Sequence, residues 1–295
     1  MTGNHAQALA LAARTLQIPA HIVMPSISTP SKIAGTRAHN PTLHFSGSTS
    51  QEREAVVADI IRDTGATLIP PYDHPLIMLG QGTMGLEVQA EVEDLIRDNE
   101  TLGVKGKRGL DALVVPCGGG GMLSGNAIAL HDTGIKVFAA EPSHQGGDDA
   151  RRGVVGGRRI ETVKTLTIAD GLRTPLGEHT WKIVSNPEYV QGLYAVTEKN
   201  IRDAMKLVLE RMKCFVEPSA CVGLATILYN EDFRRMVQEE AGDEGWNVGV
   251  IFSGGNTTIE AITKIFAEDV SAEKAEREKG VLGMDGSRVA ENVAG

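Results

Sequence analysis

The sequence has few cysteines and no long apolar run, and each shortage excludes a class of protein. The only cysteines are Cys117, Cys214 and Cys221, and their spacing matches neither a disulfide framework nor a metal-binding motif. We therefore expect free thiols in a reducing compartment. No stretch reaches the roughly 18 apolar residues typical of a membrane-spanning helix, and the first residues lack the pattern of a secretion signal. These absences predict a soluble, cytoplasmic protein.

The sequence also has fewer basic than acidic residues. The chain carries 29 Lys and Arg residues against 38 Asp and Glu residues, a formal net charge of -9. A surface of this sign repels the phosphates of nucleic acids and of anionic membranes. We therefore expect a small-molecule partner rather than a nucleic acid or a membrane.

The apolar pattern predicts an α/β fold with largely parallel sheets. The chain has 295 residues, of which 41% are hydrophobic, so it can bury a core. Thr197 precedes apolar residues at helical spacing, which predicts a capped helix packed on a sheet. Short β-rich runs alternate with helix-like stretches, and the expected strands include His21–Met24, Thr42–Phe45, Thr67–Ile69, Ala112–Val115, Lys136–Ala140 and Val248–Phe252.

The strongest single motif is a strand that runs into the tetraglycine segment Gly118–Gly121 and then into a helix-like stretch from Met122. Backbone N–H groups without neighbouring side chains, placed at a helix N-terminus, are suited to binding a phosphate. Glycines alone are more often a flexible turn, but the flanking strand and helix favour the phosphate site.

Two other segments have weaker signals. A polar turn, Thr2–Gln7, precedes an Ala- and Leu-rich helix-like stretch, where exposed N–H groups bind carboxylates. An apolar strand ends at Ser253, at the sheet edge where ligands bind in open α/β folds. An ordinary N-cap and an ordinary strand-to-helix turn remain alternatives for these two segments.

Taken together, ordered motifs resemble the fold-type II pyridoxal-5′-phosphate (PLP) enzymes, and among them serine racemases and serine/threonine dehydratases, over about residues 1–267. The resemblance implies a tryptophan synthase β-like fold of two open twisted sheets with flanking helices. It also implies a small domain at 8–75, a large domain formed by 1–7 and 76–267, and a disordered tail at 268–295. The motifs are Thr2–Gln7, Gly80–Thr83, Gly118–Gly121, Ala140–Ser143, Thr167–Gly171, Glu210–Lys213 with Glu217 and Pro218, and Ser253–Asn256.

The same resemblance implies roles for individual residues. The cofactor phosphate would be held by the backbone N–H groups of Gly118, Gly119, Gly120, Gly121 and Met122. Asn4 would contact the ring hydroxyl, Ser253 would face the pyridine nitrogen, and Glu217 would be a further cofactor-binding residue. The substrate would be bound by Thr2, Gly3, Asn4, His5, Ala6 and Asp170.

A divalent cation is implied at Glu141 and Asp149, whose carboxylates suit Mg²⁺, Mn²⁺ or Ca²⁺. The segment between them is about two residues longer than the family spacing, so a solvated acidic turn remains an alternative. Lys213 and Asn256 match positions that contact a nucleotide effector in the racemases. A homodimer is also expected.

The implied activity is that of an L-serine/L-threonine ammonia-lyase, with serine racemase as the alternative. Racemization needs a hydroxyl at the position of Thr2, where the extra methyl group crowds the site, so we favour the ammonia-lyase. In the family a Schiff-base lysine precedes the Gly3-Asn4-His5 turn by roughly thirty residues, and no lysine of this sequence matches it by motif. Lys32, the first lysine, lies in a segment that matches a small-domain helix. An inactive, truncated PLP-binding protein is therefore the alternative of another class.

Overall fold

The computed structural model describes residues 3–48 and 50–267, and it confirms the α/β class. The expected tail at 268–295 lies outside the described residues. The helices are Asn4–Thr15 (α1), Pro30–Arg37 (α2), Ser50–Thr64 (α3), Pro75–Asp98 (α4), Gly121–Ala129 (α5), Asp149–Val155 (α6), Glu178–Val184 (α7), Glu198–Leu207 (α8), Pro218–Tyr229 (α9) and Glu231–Ala241 (α10). The strands are His21–Pro25 (β1), Thr42–Ser46 (β2), Ala112–Pro116 (β3), Lys136–Pro142 (β4), Gly192–Val196 (β5) and Val248–Val250 (β6).

The strands form two parallel sheets. One sheet pairs β1 with β2, and the other has the order β5-β4-β3-β6. Every pair in the larger sheet is parallel, so the carboxyl ends of its strands lie along one edge. In open α/β sheets this is the edge at which ligands bind.

The core lies around the central strands of the larger sheet. Every residue of β3 is buried, as expected for a parallel strand covered on both faces. Phe138 of β4 is 1% exposed, and its ring contacts Tyr194 and Phe233 at centroid distances of 6.0 and 5.5 Å. This packing stabilises the larger sheet, whose opposite, carboxyl edge carries the candidate site.

Helices α4 and α5 pack almost backbone to backbone because both carry glycine at their contact. A Cβ on Gly82 would lie 2.6 Å from the carbonyl oxygen of Gly125, and a Cβ on Gly125 would lie 2.0 Å from that of Met78. Larger residues would force the helices apart. Since α5 begins at Gly121, the last residue of the tetraglycine segment, this contact fixes the position of the predicted phosphate site.

The predicted helix after Thr197 is confirmed as α8. The Thr197 hydroxyl accepts a hydrogen bond from the Asn200 N–H at 3.2 Å, which satisfies a donor that the helix start leaves unpaired. Ile201, Ala204 and Met205 are buried on its inner face.

Two strand predictions need correction, and one strand was not predicted. Thr67–Ile69 is not a strand in the described structure: its residues are exposed, and the Ile69 carbonyl accepts a hydrogen bond from the His5 ring instead of a neighbouring strand. The strand expected at Val248–Phe252 ends at Val250. Strand β5, which follows a run of polar residues, was not predicted, and its partner β4 provides the pairing that local sequence does not show.

Residues up to Asn256 form one compact unit, and those from Thr257 form another. In the second unit the backbone is helical over 259–267, and the Thr258 hydroxyl accepts the Ala261 N–H at 3.2 Å. The expected domain boundaries at 8–75 and 76–267 stay a prediction. Within the described ranges, no helix is both long and apolar enough to cross a membrane.

Candidate cofactor and substrate site

The tetraglycine segment connects β3 to α5 at the carboxyl edge of the larger sheet. Gly120 has φ 84°, a left-handed conformation that glycine adopts without strain. A Cβ on Gly118 would lie 2.9 Å from the Leu172 Cα, and one on Gly119 would lie 2.5 Å from the Tyr72 ring. The segment is therefore too closely packed for side chains. The N–H groups of the first turn of α5 have no partner within the helix, so the geometry fits a phosphate.

Residues that the sequence did not predict support this cradle. The Asp73 carboxylate accepts hydrogen bonds from the N–H groups of Glu178 and His179 at the start of α7, at 2.9 and 2.8 Å. The Thr180 hydroxyl donates to the Gly119 carbonyl at 2.9 Å, across a sequence separation of 61. Residues so far apart in sequence show no local pattern that would predict their contact. Asp73 alone has a visible signal, since it is a carboxylate two residues before Pro75, where a helix begins.

Asn4, Glu217 and Asn256 form a hydrogen-bonded network. Asn4 Nδ2 donates to Glu217 Oε1 at 2.8 Å, and Asn256 Nδ2 donates to Asn4 Oδ1 at 2.7 Å. The Asn256 backbone N–H also donates to Glu217 Oε2 at 3.1 Å. Burial raises the pKa of Glu217, an effect that the Asn4 hydrogen bond opposes. Two predicted site residues, Asn4 and Glu217, are therefore in direct contact.

Ser253 lies next to this network. It is exposed and follows β6 at the carboxyl edge, and the adjacent Gly254 carbonyl accepts the Glu217 N–H at 3.0 Å. A Cβ on Gly255 would lie 2.6 Å from the Phe215 carbonyl oxygen, so the turn after Ser253 is held closely. The predicted contact of Ser253 with the pyridine nitrogen stays a prediction.

Asp170 is paired with Lys32, a residue to which the sequence assigned no role. Lys32 Nζ lies 2.6 Å from Asp170 Oδ2, and the side chains are 12% and 35% exposed, respectively. The segment after Asp170 contacts the tetraglycine segment and the start of α9. Leu172 packs on Gly118, and the Gly171 N–H donates to the Ser219 hydroxyl at 3.0 Å. The contacts thus connect the predicted substrate residue Asp170 with the glycine cradle.

The predicted substrate turn forms the start of α1. Gly3 has φ 112° and makes no side-chain cap, which leaves the first N–H groups of the helix free of intrahelical partners. The His5 ring donates to the Ile69 carbonyl at 3.0 Å, and burial lowers its pKa. Thr2, the predicted catalytic residue, lies outside the described residues.

Of the two predicted metal ligands, Asp149 begins α6, and Glu141 lies near the end of β4 with its carboxylate at the start of that helix. The Glu141 carboxylate is 1% exposed and accepts the N–H groups of Ala150 and Arg151 at 3.0 and 2.8 Å. Burial and the charge of Asp149 raise the pKa of Glu141, and burial raises the pKa of Asp149 to about 7. No group of three or more His, Cys, Asp or Glu side chains suited to a metal was found in the described ranges. The cation at Glu141 and Asp149 stays a prediction.

The two predicted nucleotide contacts have partners within the chain. Lys213 is left-handed, with φ 60°, and its ammonium donates to the Glu210 carbonyl. Asn256 belongs to the network with Asn4. A nucleotide effector and a homodimer stay predictions.

Comparisons with known proteins agree with this geometry. The family described as pyridoxal-phosphate dependent enzyme matches residues 1–254. The chain is 36% identical to serine racemase of Arabidopsis thaliana over 267 residues, which cover 90% of this chain and 74% of the relative. It is 38% identical to an L-threo-3-hydroxyaspartate ammonia-lyase of a Pseudomonas species over 262 residues, with coverages of 88% and 73%. The solved structure of maize serine racemase matches with a TM-score of 0.76 and 34% identity, over 93% of this chain and 77% of that one.

Proposed function

The chain belongs to the family of pyridoxal-phosphate dependent enzymes and has their type II fold, and from this premise we propose that it is an L-serine/L-threonine ammonia-lyase. The observation that supports this most is the convergence of separate segments. Asn4 contacts Glu217, and the segment that follows Asp170 packs on Gly118. Residues far apart in sequence thus surround the carboxyl edge of β3.

The residues present fit the cofactor. The cradle offers backbone N–H groups where side chains would collide with Tyr72 and Leu172, which suits a phosphate. Asn4 presents an amide that can serve the ring hydroxyl. Ser253 is a neutral partner for the pyridine nitrogen and does not enforce its protonation as a carboxylate would.

When bound, the cofactor withdraws electrons from the substrate Cα and so makes its proton removable. The residues of this site bind and orient the amino acid, whereas the base that accepts the Cα proton is not assigned, because no lysine of the sequence matches the family's Schiff-base lysine by motif. The turn Gly3–Ala6 orients the amino acid by donating N–H groups to its carboxylate. Glu217 holds Asn4 in place, and because its pKa is raised it retains a proton to higher pH than an exposed glutamate. Loss of the β-hydroxyl and hydrolysis then give a keto acid and ammonia.

Serine racemase is the second candidate, favoured by the match to the maize enzyme over 93% of this chain. The two reactions begin with the same removal of the Cα proton and differ in whether a second acid returns it on the opposite face. We assign that position to Thr2. Threonine carries a methyl group that the serine of the racemases lacks, and we take this difference as support for the ammonia-lyase over the racemase.

We also propose that Glu141 and Asp149 bind a divalent cation. Burial raises the pKa values of Glu141, Asp149 and the neighbouring Cys117, and repulsion from neighbouring carboxylates adds to the shifts of Glu141 and Cys117. A divalent cation would supply a counter-charge. The cation would stabilise the fold, since Glu141 also accepts a hydrogen bond from the start of α6.

The test begins with cofactor binding, measured by absorbance and fluorescence of PLP added to the purified chain. L-serine and L-threonine are then supplied, and keto acid and D-serine are quantified separately. Keto acid as the main product supports the proposal. D-serine as the main product supports the racemase, a chain that binds PLP without turnover supports a binding protein, and absence of PLP binding refutes the assignment.

A further inference from the structure

Lys32 brings a cationic side chain into the candidate site. Helix α2 carries it across the substrate turn, where a Cβ on Gly3 would lie 2.9 Å from both Cγ and Cδ of Lys32. The ammonium then reaches Asp170 at 2.6 Å. An ammonium has three donors, so the pair with Asp170 leaves donors for another acceptor.

The substrate turn beside Lys32 is open to an anion. Gly3 provides no side-chain cap, and the first turn of α1 contains no acidic residue. The positive end of this 12-residue helix therefore has no acidic group from its own first turn. The His5 ring adds no charge there at neutral pH, because burial lowers its pKa.

The same region contains two carboxyl groups that oppose a carboxylate ligand. Asp170 is 35% exposed on its side chain, and Glu217 is bonded to Asn4 next to Gly3. Like charges at close range cost binding free energy, and more so where water is partly excluded. A substrate carboxylate at the turn therefore needs an offsetting cation.

We propose that Lys32 is a substrate-binding residue, whose ammonium offsets Asp170 and binds the amino-acid carboxylate together with the turn Gly3–Ala6. This inference rests on the proposed function, since it concerns the carboxylate of the same substrate. Lys32 thus recognises the charge of the ligand. A purely structural Lys32, which only links α2 to Asp170, would not distinguish a charged ligand from a neutral one.

The experiment compares two ligands of the PLP-loaded chain, L-serine and L-serinamide, which lacks the carboxylate charge. Both are titrated by the change in PLP absorbance, after PLP affinity has been measured for each variant. Lys32→Met should reduce the preference for L-serine over L-serinamide by about tenfold or more, the effect of losing one charge-assisted hydrogen bond. Lys32→Met with Asp170→Asn should recover part of it, because the uncompensated carboxylate is gone.

The matched control is the Lys107–Asp111 pair, which also has an N–O distance of 2.6 Å and half-buried side chains. It lies at the amino end of β3, away from the candidate site, so Lys107→Met, alone or with Asp111→Asn, should leave the preference unchanged. An unchanged preference in Lys32→Met overturns the inference, as does a double variant no better than the single one. A chain that fails to bind PLP refutes the proposed function and this inference with it, whereas PLP binding with an unchanged preference refutes the inference alone.

Discussion

Replacing Gly119 by alanine tests the phosphate cradle most directly. The new Cβ would lie 2.5 Å from Tyr72 Cγ, about 0.9 Å closer than the 3.4 Å at which ordinary contacts begin. Tyr72 cannot move away easily. The contact atoms are Cγ, Cδ1 and Cδ2 at the base of its ring, and its backbone packs on Gly121. Overpacking of this kind costs about 1–3 kcal/mol. If the loop moves to relieve it, PLP affinity should fall by about 10- to 100-fold, since each 1.4 kcal/mol is roughly a factor of ten.

The assay is a PLP titration together with urea unfolding of the cofactor-free chain. Gly80→Ala is the matched control, because nothing lies within 4 Å of its Cβ position and alanine within a helix should stabilise by about 0.5–1 kcal/mol. Gly119→Ala should cost less stability in a Tyr72→Ala background than in the wild-type chain, because the smaller residue provides space for the new Cβ. Unchanged PLP affinity and stability in Gly119→Ala alone would refute the packing argument.

Three further predictions concern the surroundings of the cradle. Asp73→Ala should lower the free energy of unfolding by about 1–2 kcal/mol, because its carboxylate caps α7 through several N–H groups. The control Asp243→Ala, at an exposed position, should be near neutral in urea unfolding. Glu217, with a folded pKa raised above 4.5 by burial, binds more protons folded than unfolded, so its contribution to stability should decline as pH rises from about 4.5 through the raised value. The free energy of unfolding, measured with urea across that pH window, should decline less in Glu217→Gln than in the wild-type chain. The same slope in both would contradict the prediction. Mg²⁺, Mn²⁺ or Ca²⁺ should raise the thermal unfolding temperature of the wild-type chain but not of Glu141→Gln, and an equal rise in both would exclude Glu141 as a ligand.

Local sequence predicted those parts of the molecule whose cause is local. The tetraglycine segment is closely packed and has a positive φ at Gly120. Both conditions require glycine, so they can be recognised from the sequence. Thr197 was predicted as a cap because cap and helix are adjacent. The run Thr67–Ile69 has strand composition, yet no strand of the described structure pairs with it, and composition alone cannot show whether a partner exists.

The roles that were missed depend on contacts between distant segments. Lys32 lies on a helix whose sequence is ordinary, and only its approach to Asp170, 138 positions away, gives it a place in the candidate site. Tyr72 packs on Gly119 and Gly121, but nothing near Tyr72 in the sequence indicates a glycine-rich neighbour. The resemblance of motifs identified most residues of the site. The pairing of the Lys32 and Asp170 charges could be seen only in the folded structure.

The hydrogen bond between Asn4 and Asn256 spans 252 positions, and this has a consequence for how the protein is made. A ribosome adds about 5–20 residues per second, so roughly 12–50 seconds separate the synthesis of the two partners. During that interval Asn4 can form its helix but not its side-chain network, and the entropy of closing so long a loop delays the contact further. Strands β1 to β5 are therefore made before the site is complete, whereas β6 and Asn256 are made almost together, and the capacity to bind a ligand should be among the last properties to emerge.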